Sequence, residues 1–176
     1  MHDQCTPDLF TNDQKLSLHV ETRAPNYSKG IQYRTVTEED RDYLYHLHVL
    51  TMKEYVDKTW GWEDAFQEAA FDQHFNPDEQ KIITFNDKDA GVISIEYKDD
   101  EIFLRAIEVH PEYQRKGIGT FIIQSLIEEG IRQDKPVRLY VLKVNPAKKL
   151  YERLGFNVVS EITTHCIMRT DIPAGP

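Results

Sequence analysis

Residues 109–120 of the chain read Val-His-Pro-Glu-Tyr-Gln-Arg-Lys-Gly-Ile-Gly-Thr and lie between a predicted strand, 102–109, and a predicted helix, 117–132. Glycines let the backbone approach a ligand closely, and the start of a helix presents N–H groups without an intrahelical partner. Arg115 and Lys116 add positive charge beside these amides. The stretch therefore predicts an anion site, for which a pyrophosphate is the natural occupant.

Two common phosphate-binding loops do not fit this stretch. A dinucleotide loop needs a third glycine where Phe121 and Ile122 stand, and a nucleoside triphosphate loop needs a Gly-Lys-Ser/Thr string that the chain lacks. A simpler alternative is that Gly117 and Gly119 only permit a tight turn from strand to helix. The glycines alone leave the binding loop and the simple turn open.

The pattern of apolar residues predicts the elements around this loop. Leu44, Leu47 and Leu50 recur at helical spacing after Thr37, which resembles a helix N-cap, and a loop is predicted at 58–62. The predicted strands are 31–36, 82–85, 92–97, 102–109, 137–142, 156–161 and 163–169, and the predicted helices run to about 56, from 62 to 75, from 117 to 132 and from 146 to 154. This order predicts the α/β (α+β) class, with helices flanking a mixed, mostly antiparallel sheet.

Length, charge and cysteine content narrow the class of protein. With 176 residues the chain has room for one ordinary domain. Its 21 Lys and Arg against 30 Asp and Glu give a net charge of −9, which disfavours nucleic acid and anionic membranes as partners. No apolar stretch approaches the roughly 20 residues of a membrane span, and the start is neither basic nor apolar, so we expect a cytoplasmic protein. Cys5 and Cys166 supply neither a disulfide framework nor a metal site.

Two segments resemble motifs of a known family, the GNAT superfamily of N-acetyltransferases. Residues 114–119, Gln-Arg-Lys-Gly-Ile-Gly, resemble its Q/R-x-x-G-x-G/A acetyl-CoA loop, and residues 145–156, Asn-Pro-Ala-Lys-Lys-Leu-Tyr-Glu-Arg-Leu-Gly-Phe, resemble its second segment at the usual spacing. The resemblance implies an N-acetyltransferase domain at 31–170 whose sheet is splayed between the fourth and fifth core strands. Residues 1–30, where alternation at 16–20 predicts a short strand, are then an extension of unassigned role, and 171–176 a tail.

The resemblance also implies the co-substrate, acetyl-CoA, and the residues that hold it. Backbone groups of two residues at the end of the fourth core strand would pair with the pantetheine arm, the glycine loop would wrap the pyrophosphate, and Asn145 would hydrogen-bond the arm. Asn145 followed by proline is also a common helix-capping pair. The implied cofactor-binding residues are Ile107, Val109, Gln114, Arg115, Lys116, Gly117, Ile118, Gly119, Thr120 and Asn145.

Acetyl transfer to an amine requires two proton movements. An ammonium with a pKa of about 10 must lose a proton before it attacks, and the thiolate leaves more easily as a thiol. The resemblance places Tyr151 at the family's tyrosine facing the sulfur of CoA, which makes it the candidate acid. The alternative is that Tyr151 packs as an ordinary core residue of its helix.

The candidate base is Glu108, next to the expected opening of the sheet, with Glu101, His110 and a water chain as alternatives. Positions where relatives often carry a carboxylate or histidine hold Phe103, Arg105 and Tyr140. Strand alternation places Glu108 on the face opposite Phe103 unless a bulge intervenes. No metal is expected in the mechanism.

Aromatic residues crowd the region that in the family covers the acceptor. Together with nearby carboxylates they suit a small cationic amine through their ring faces. The candidate acceptor-binding residues are Tyr55, Trp60, Trp62 and His165, whereas Phe66 and Phe71 are predicted to be core. The expected partner is a small-molecule amine, and a homodimer is left open. Two alternatives remain: a CoA-binding sensor or interaction module without catalysis, and a structural protein whose glycines only turn the chain.

Overall fold

The computed structural model describes residues 30–171. Its helices are α1 (Arg41–Trp60), α2 (Asp64–His74), α3 (Ile118–Gln133) and α4 (Ala147–Arg153). Its strands are β1 (Ile31–Thr35), β2 (Lys81–Phe85), β3 (Lys88–Tyr97), β4 (Ile102–Val109), β5 (Val137–Leu142), β6 (Phe156–Glu161) and β7 (His165–Thr170). The predicted order of elements is confirmed, and the predicted strand at 16–20 lies outside the described residues. None of the described helices combines the length and apolarity needed to cross a bilayer.

The seven strands form one sheet in the order β1-β2-β3-β4-β5-β7-β6. Every neighbouring pair is antiparallel except β4 and β5, which run parallel. A parallel pair requires a crossover connection, and here α3 supplies it. The predicted mixed, mostly antiparallel sheet is therefore confirmed.

The parallel pair is short, and this opens the sheet. Residues 102–104 of β4 lie opposite residues 137–139 of β5, and no pairing continues beyond them. From residue 105 to residue 109, the edge of β4 that points toward β5 has no strand beside it among residues 30–171. The predicted splay between the fourth and fifth core strands is confirmed.

A bulge in β4 sets which way its last residues point. Ile95 of β3 lies opposite Leu104, but Ser94 lies opposite Ala106, so Arg105 is an extra residue in β4. An extra residue reverses the alternation of side chains beyond it. Glu108 therefore shares a face of the sheet with Phe103, and the expectation from simple alternation is corrected by the bulge.

The two faces of the sheet are covered by different helices. Apolar side chains of α3, among them Ile122 and Leu126, pack with Tyr151 of α4 against one face, which we call the α3 face. Leu44 and Leu47 of α1 pack against Ile82 and Val92 on the other, the α1 face. Glu108 lies opposite Val92 in the register of β3 and β4, so it belongs to the α1 face.

Helix α1 differs from its prediction at its C-terminal end. Leu50 is 44% exposed, so it does not share the buried stripe of Leu44 and Leu47. The helix continues to Trp60 and so includes the first half of the predicted loop, with an ion pair between Lys58 and Glu54 one turn apart. Gly61 ends it at φ +92°, a conformation that favours glycine.

We expect Gly91→Ala to destabilise the fold by about 1–3 kcal/mol. Gly91 lies opposite Val109, and a Cβ atom there would lie 3.2 Å from the Val109 Cα and nearer still to the carbonyl oxygen of Glu108. The control is Gly119→Ala, because a Cβ at Gly119 meets nothing within 4 Å. Urea unfolding measures the free energy of unfolding of both variants. Equal stability of the two variants would contradict the close approach of β3 and β4.

Candidate functional site

The glycine loop turns β4 into α3 through two left-handed residues, Arg115 at φ +61° and Gly117 at φ +81°. Gly117 is the N-cap of α3 and makes no side-chain cap, and the first turn carries no acidic residue. The Phe121 N–H donates to the carbonyl of Gly117 at 2.9 Å, so the helical pattern begins there. The N–H groups of residues 118–120 consequently have no partner within the helix and can donate hydrogen bonds to an anion.

The side chains of the glycine loop differ in their contacts and in their exposure to solvent. The Gln114 amide donates to the Val109 carbonyl at 2.9 Å and so ties the loop to the end of β4. This carbonyl is one of the backbone groups predicted to meet the pantetheine arm. Arg115 is exposed, and the Lys116 ammonium lies 5.1 Å from the centre of the Tyr113 ring. Ile118 is buried, so it can offer a ligand only its backbone.

The remaining predicted cofactor residues lie near the opened edge. Ile107 pairs with Ile93 on the β3 side, which leaves the side of β4 toward β5 accessible. Gly119 and Thr120 lie in the first turn of α3 and are half-buried. The loop, the open edge of β4 and the start of α3 are thus adjacent along the chain.

Asn145 caps α4. Its side-chain oxygen accepts a hydrogen bond from the Ala147 N–H at 2.9 Å. The amide nitrogen of the same side chain has no hydrogen bond within residues 30–171. The capping interpretation of Asn145 is therefore observed, and its role toward a cofactor stays a prediction.

Tyr151 lies on α4 and packs into the core on the α3 face. Its ring centroid is 5.7 Å from that of Phe156. Burial raises the pKa of the Tyr151 hydroxyl to about 12, because the phenolate would lose its hydration. The hydroxyl is therefore protonated at neutral pH, which is the state a proton donor needs.

Glu108 is held by two residues of α1. Its Oε1 lies 2.9 Å from Nδ1 of His48, and its Oε2 accepts from the Thr51 hydroxyl at 2.6 Å. The side chains of His48 and Glu108 are 26% and 14% exposed. We call these three residues the His48 cluster.

The His48 cluster shifts the pKa of its histidine. Burial acts to lower the pKa of His48, but the hydrogen bond and the charge of Glu108 outweigh it, and the pKa is raised. Sequence reasoning missed His48 and Thr51. They are three residues apart in a predicted helix, and nothing in that spacing points to a strand residue 60 positions away.

The other two candidate bases are engaged elsewhere. Glu101 forms a bidentate ion pair with Arg138, at 2.6 and 2.7 Å. Burial would raise the pKa of Glu101, but the hydrogen bonds and charge of Arg138 lower it on balance. His110 Nδ1 accepts from the Glu112 N–H at 3.3 Å, just beyond β4.

Three of the four predicted acceptor residues take part in ring contacts, two of them with each other and the third with His48. The Trp60 ring centroid lies 6.4 Å from that of His165 at the start of β7, and the Trp62 ring lies 6.2 Å from His48. Burial lowers the pKa of His165, because the charged ring would lose its hydration. Tyr55 is half-buried in α1. The Trp62 indole N–H donates to Asp64 at 2.7 Å, which fixes that ring.

Phe66 is not a core residue: its side chain is 61% exposed, so that prediction is wrong. The short α2 buries Gln67 instead. Phe71 does pack inward, with its ring 5.4 Å from Tyr45 of α1 and 5.9 Å from Phe75. Within residues 30–171 there is no group of three or more His, Cys, Asp or Glu side chains arranged to hold a metal ion.

Comparison with known proteins assigns the family. The model of the acetyltransferase (GNAT) family matches residues 41–156, and the chain belongs to this family. The resemblance in the two sequence motifs is thereby confirmed.

Two relatives and two solved structures are similar to the chain. The chain is 39% identical over 66 residues to the cysteine-rich protein 2-binding proteins of Mus musculus and Homo sapiens. The aligned segment covers 38% of this chain and 8% of each relative, so the chain spans only a small part of their length. The PaiA N-acetyltransferase of Thermoplasma acidophilum, in complex with coenzyme A, aligns at a TM-score of 0.65 with 17% identity, covering 80% of this chain and 98% of that one. The ribosomal-protein-S18-alanine N-acetyltransferase of Escherichia coli aligns at a TM-score of 0.58 with 24% identity, and the alignment covers 83% of this chain and 96% of that one.

We expect Asn145→Ala to lower the free energy of unfolding by about 0.5–2 kcal/mol, because the Ala147 N–H loses its acceptor. Asn145→Asp keeps an oxygen in place and should stay near wild type. Urea unfolding measures both variants. Wild-type stability of Asn145→Ala would show that the cap contributes nothing.

Proposed function

We propose that the protein is an N-acetyltransferase that moves an acetyl group from acetyl-CoA to a primary amine by direct attack within a ternary complex. The observation that carries this proposal is the junction of the open edge of β4 with the uncapped amides of α3. Membership of the acetyltransferase family supports the same activity.

The co-substrate fits this junction in two parts. A diphosphate suits the amides of residues 117–120, with the charges of Arg115 and Lys116 beside them. The amide groups of the pantetheine arm suit the unpaired backbone edge at residues 105–109, as an added strand would. Gln114 and Asn145 are the further side chains that we propose to contact the co-substrate. The similar fold of PaiA, which was solved with coenzyme A, supports this assignment.

The reaction needs a base and an acid on opposite sides of the acetyl carbon. The amine loses a proton and its nitrogen forms a bond to that carbon, after which the C–S bond breaks and the sulfur takes up a proton. Tyr151, protonated at neutral pH, is the proposed donor to the sulfur. The sequence predicts Glu108, or water held beside it, as the base that accepts the proton of the amine. Glu108 belongs to the His48 cluster, near the C-terminal end of β4.

The acceptor we propose is a small cationic amine. The net charge of −9 attracts a cation, and the faces of Trp60 and Trp62 can stabilise an ammonium. His165 and Tyr55 complete the proposed lining. The E. coli neighbour is named for a protein alanine, so a peptide N-terminus belongs in the test. The cytoplasmic location stays a prediction, and a homodimer stays open.

A CoA-binding sensor remains the second candidate. It is favoured by Phe103 and Tyr140, whose rings pack edge to face at 5.4 Å where relatives often carry a carboxylate or histidine. Thiol release from acetyl-CoA with a panel of a polyamine, an amino sugar, an amino acid and a peptide separates the two. An enzyme releases CoA with one class of amine, whereas a sensor binds CoA and releases none above background.

We expect Gly119→Leu to abolish CoA binding without loss of stability. A Cβ at this position meets nothing within 4 Å, so the substitution starts in open space, and this is the space that we propose for the diphosphate. Calorimetric titration with CoA measures binding, and urea unfolding monitors the fold. Undiminished affinity would remove the start of α3 from the cofactor site.

Tyr151→Phe should lower kcat by about 10²-fold with little change in CoA affinity, because it removes a proton donor and keeps the packed ring. Steady-state thiol release measures kcat, and calorimetric titration measures the affinity for CoA. Unchanged turnover would exclude Tyr151 as the acid.

A further inference from the structure

We infer that His48 is the group that receives the proton of the acceptor amine, and that Glu108 is a positioning residue that acts through it. This inference rests on the proposed function and names the base of the same site. It replaces direct proton transfer to Glu108, and it assigns a role to a helix residue that neither motif of the family resemblance contains.

Both oxygens of the Glu108 carboxylate are hydrogen-bonded to side chains of α1. Oε1 lies 2.9 Å from His48 Nδ1 and Oε2 lies 2.6 Å from the Thr51 hydroxyl. That hydroxyl also lies 2.9 Å from the Leu47 carbonyl, but a charged acceptor at a shorter distance takes its single proton. Both oxygens of Glu108 therefore already contact side chains of α1, so the carboxylate is held by the protein and faces His48.

The same contacts determine which nitrogen of His48 is basic. An ionised carboxylate only accepts, so Nδ1 must carry the hydrogen in the bond to Glu108. In neutral His48 the lone pair is then on Nε2, and Nε2 has no hydrogen bond within residues 30–171. A carboxylate that fixes the tautomer of a neighbouring imidazole is an arrangement suited to general-base catalysis.

The position of His48 fits the proposed chemistry. Glu108 lies between Ile107 and Val109, the residues assigned to the pantetheine arm, on the stretch of β4 that has left β5. Its side chain points to the α1 face, away from Tyr151, which packs on the α3 face. The Trp62 ring, proposed to line the acceptor site, lies 6.2 Å from the His48 ring.

The surroundings of His48 strengthen it as a base. Among residues 30–171, Glu108 is the only charged group that shifts the pKa of His48, and the Trp62 and Phe71 rings beside it are uncharged. Glu108 outweighs burial, so the pKa of His48 lies above its usual value. Turnover should therefore rise with pH as His48 loses its proton and then level off.

The proposed step balances as follows. The Nε2 lone pair takes one proton from the amine nitrogen as that nitrogen bonds to the acetyl carbon, and the resulting imidazolium is stabilised by the Glu108 carboxylate. The side chain of His48 is 26% exposed, so the proton can leave to solvent after the product departs. The C–S bond then breaks as Tyr151 gives its proton to the sulfur, and Tyr151 takes a replacement proton from solvent, so that a neutral amine and acetyl-CoA become an amide and the CoA thiol with no net change in protons.

Three variants test the assignment kinetically. His48→Gln should lower kcat by about 10²-fold or more while the KM for acetyl-CoA stays unchanged. Glu108→Gln, which keeps an acceptor for Nδ1 but removes the charge, should lower kcat less and move the acidic limb of the pH profile to lower pH. His46→Gln, an exposed histidine of the same helix, is the matched control and should match wild type.

Long-range proton–nitrogen NMR of the imidazole rings tests the assignment without turnover. We expect neutral His48 to carry its hydrogen on Nδ1 and its pKa to fall in Glu108→Gln. A hydrogen on Nε2, or a Glu108→Gln defect larger than that of His48→Gln, would overturn the inference and return the base role to Glu108.

The kinetic test separates this inference from the proposed function. A wild-type protein that folds but releases no thiol with any amine of the panel would overturn both. Normal wild-type turnover with an unaffected His48→Gln would overturn the inference alone and leave the acetyltransferase proposal standing.

Discussion

The separation of β4 from β5 is the constraint on which the rest of the molecule depends. The two strands pair at residues 102–104 and 137–139 and then part. Backbone groups buried without partners are costly, so an unpaired strand edge is stable only where water or a ligand satisfies it. At the paired end the chain is secured by the bidentate ion pair between Arg138 and Glu101. The two strands are thus held together at residues 102–104 and 137–139 and are separated beyond them.

The two faces of the sheet supply different chemistry to this opening. On one side lie the amides that begin α3, where partial positive charge concentrates because their hydrogen-bonding partners are missing. On the other lies the His48 cluster, which α1 brings to the last residues of β4. The bulge at Arg105 connects the two, because it alone turns Glu108 toward α1 while Ile107 packs toward α3. An insertion of one residue therefore decides which face holds the carboxylate.

The local signals in the sequence predicted the fold well. Alternation in 102–109, the polar turns around it and the glycines at 117 and 119 all depend on neighbouring residues, and the helices and strands predicted from residue 31 onward are present. The contact of His48 with Glu108 depends instead on how α1 lies across the sheet and on a bulge that no residue type announces. Phe66 was misassigned for a related reason, since helical spacing does not tell which side of a short helix meets the core. Asn145 shows a third limit, because one side chain can cap a helix and border a ligand site together.

The central claim is that the open edge of β4 and the first amides of α3 together hold coenzyme A. Hydrogen–deuterium exchange with and without CoA measures both at once. The account predicts that CoA slows exchange at residues 105–109 and 117–120, while the middle of α1 and the β6–β7 pair remain unchanged. Exchange that stays unaltered at both segments under saturating CoA would contradict it.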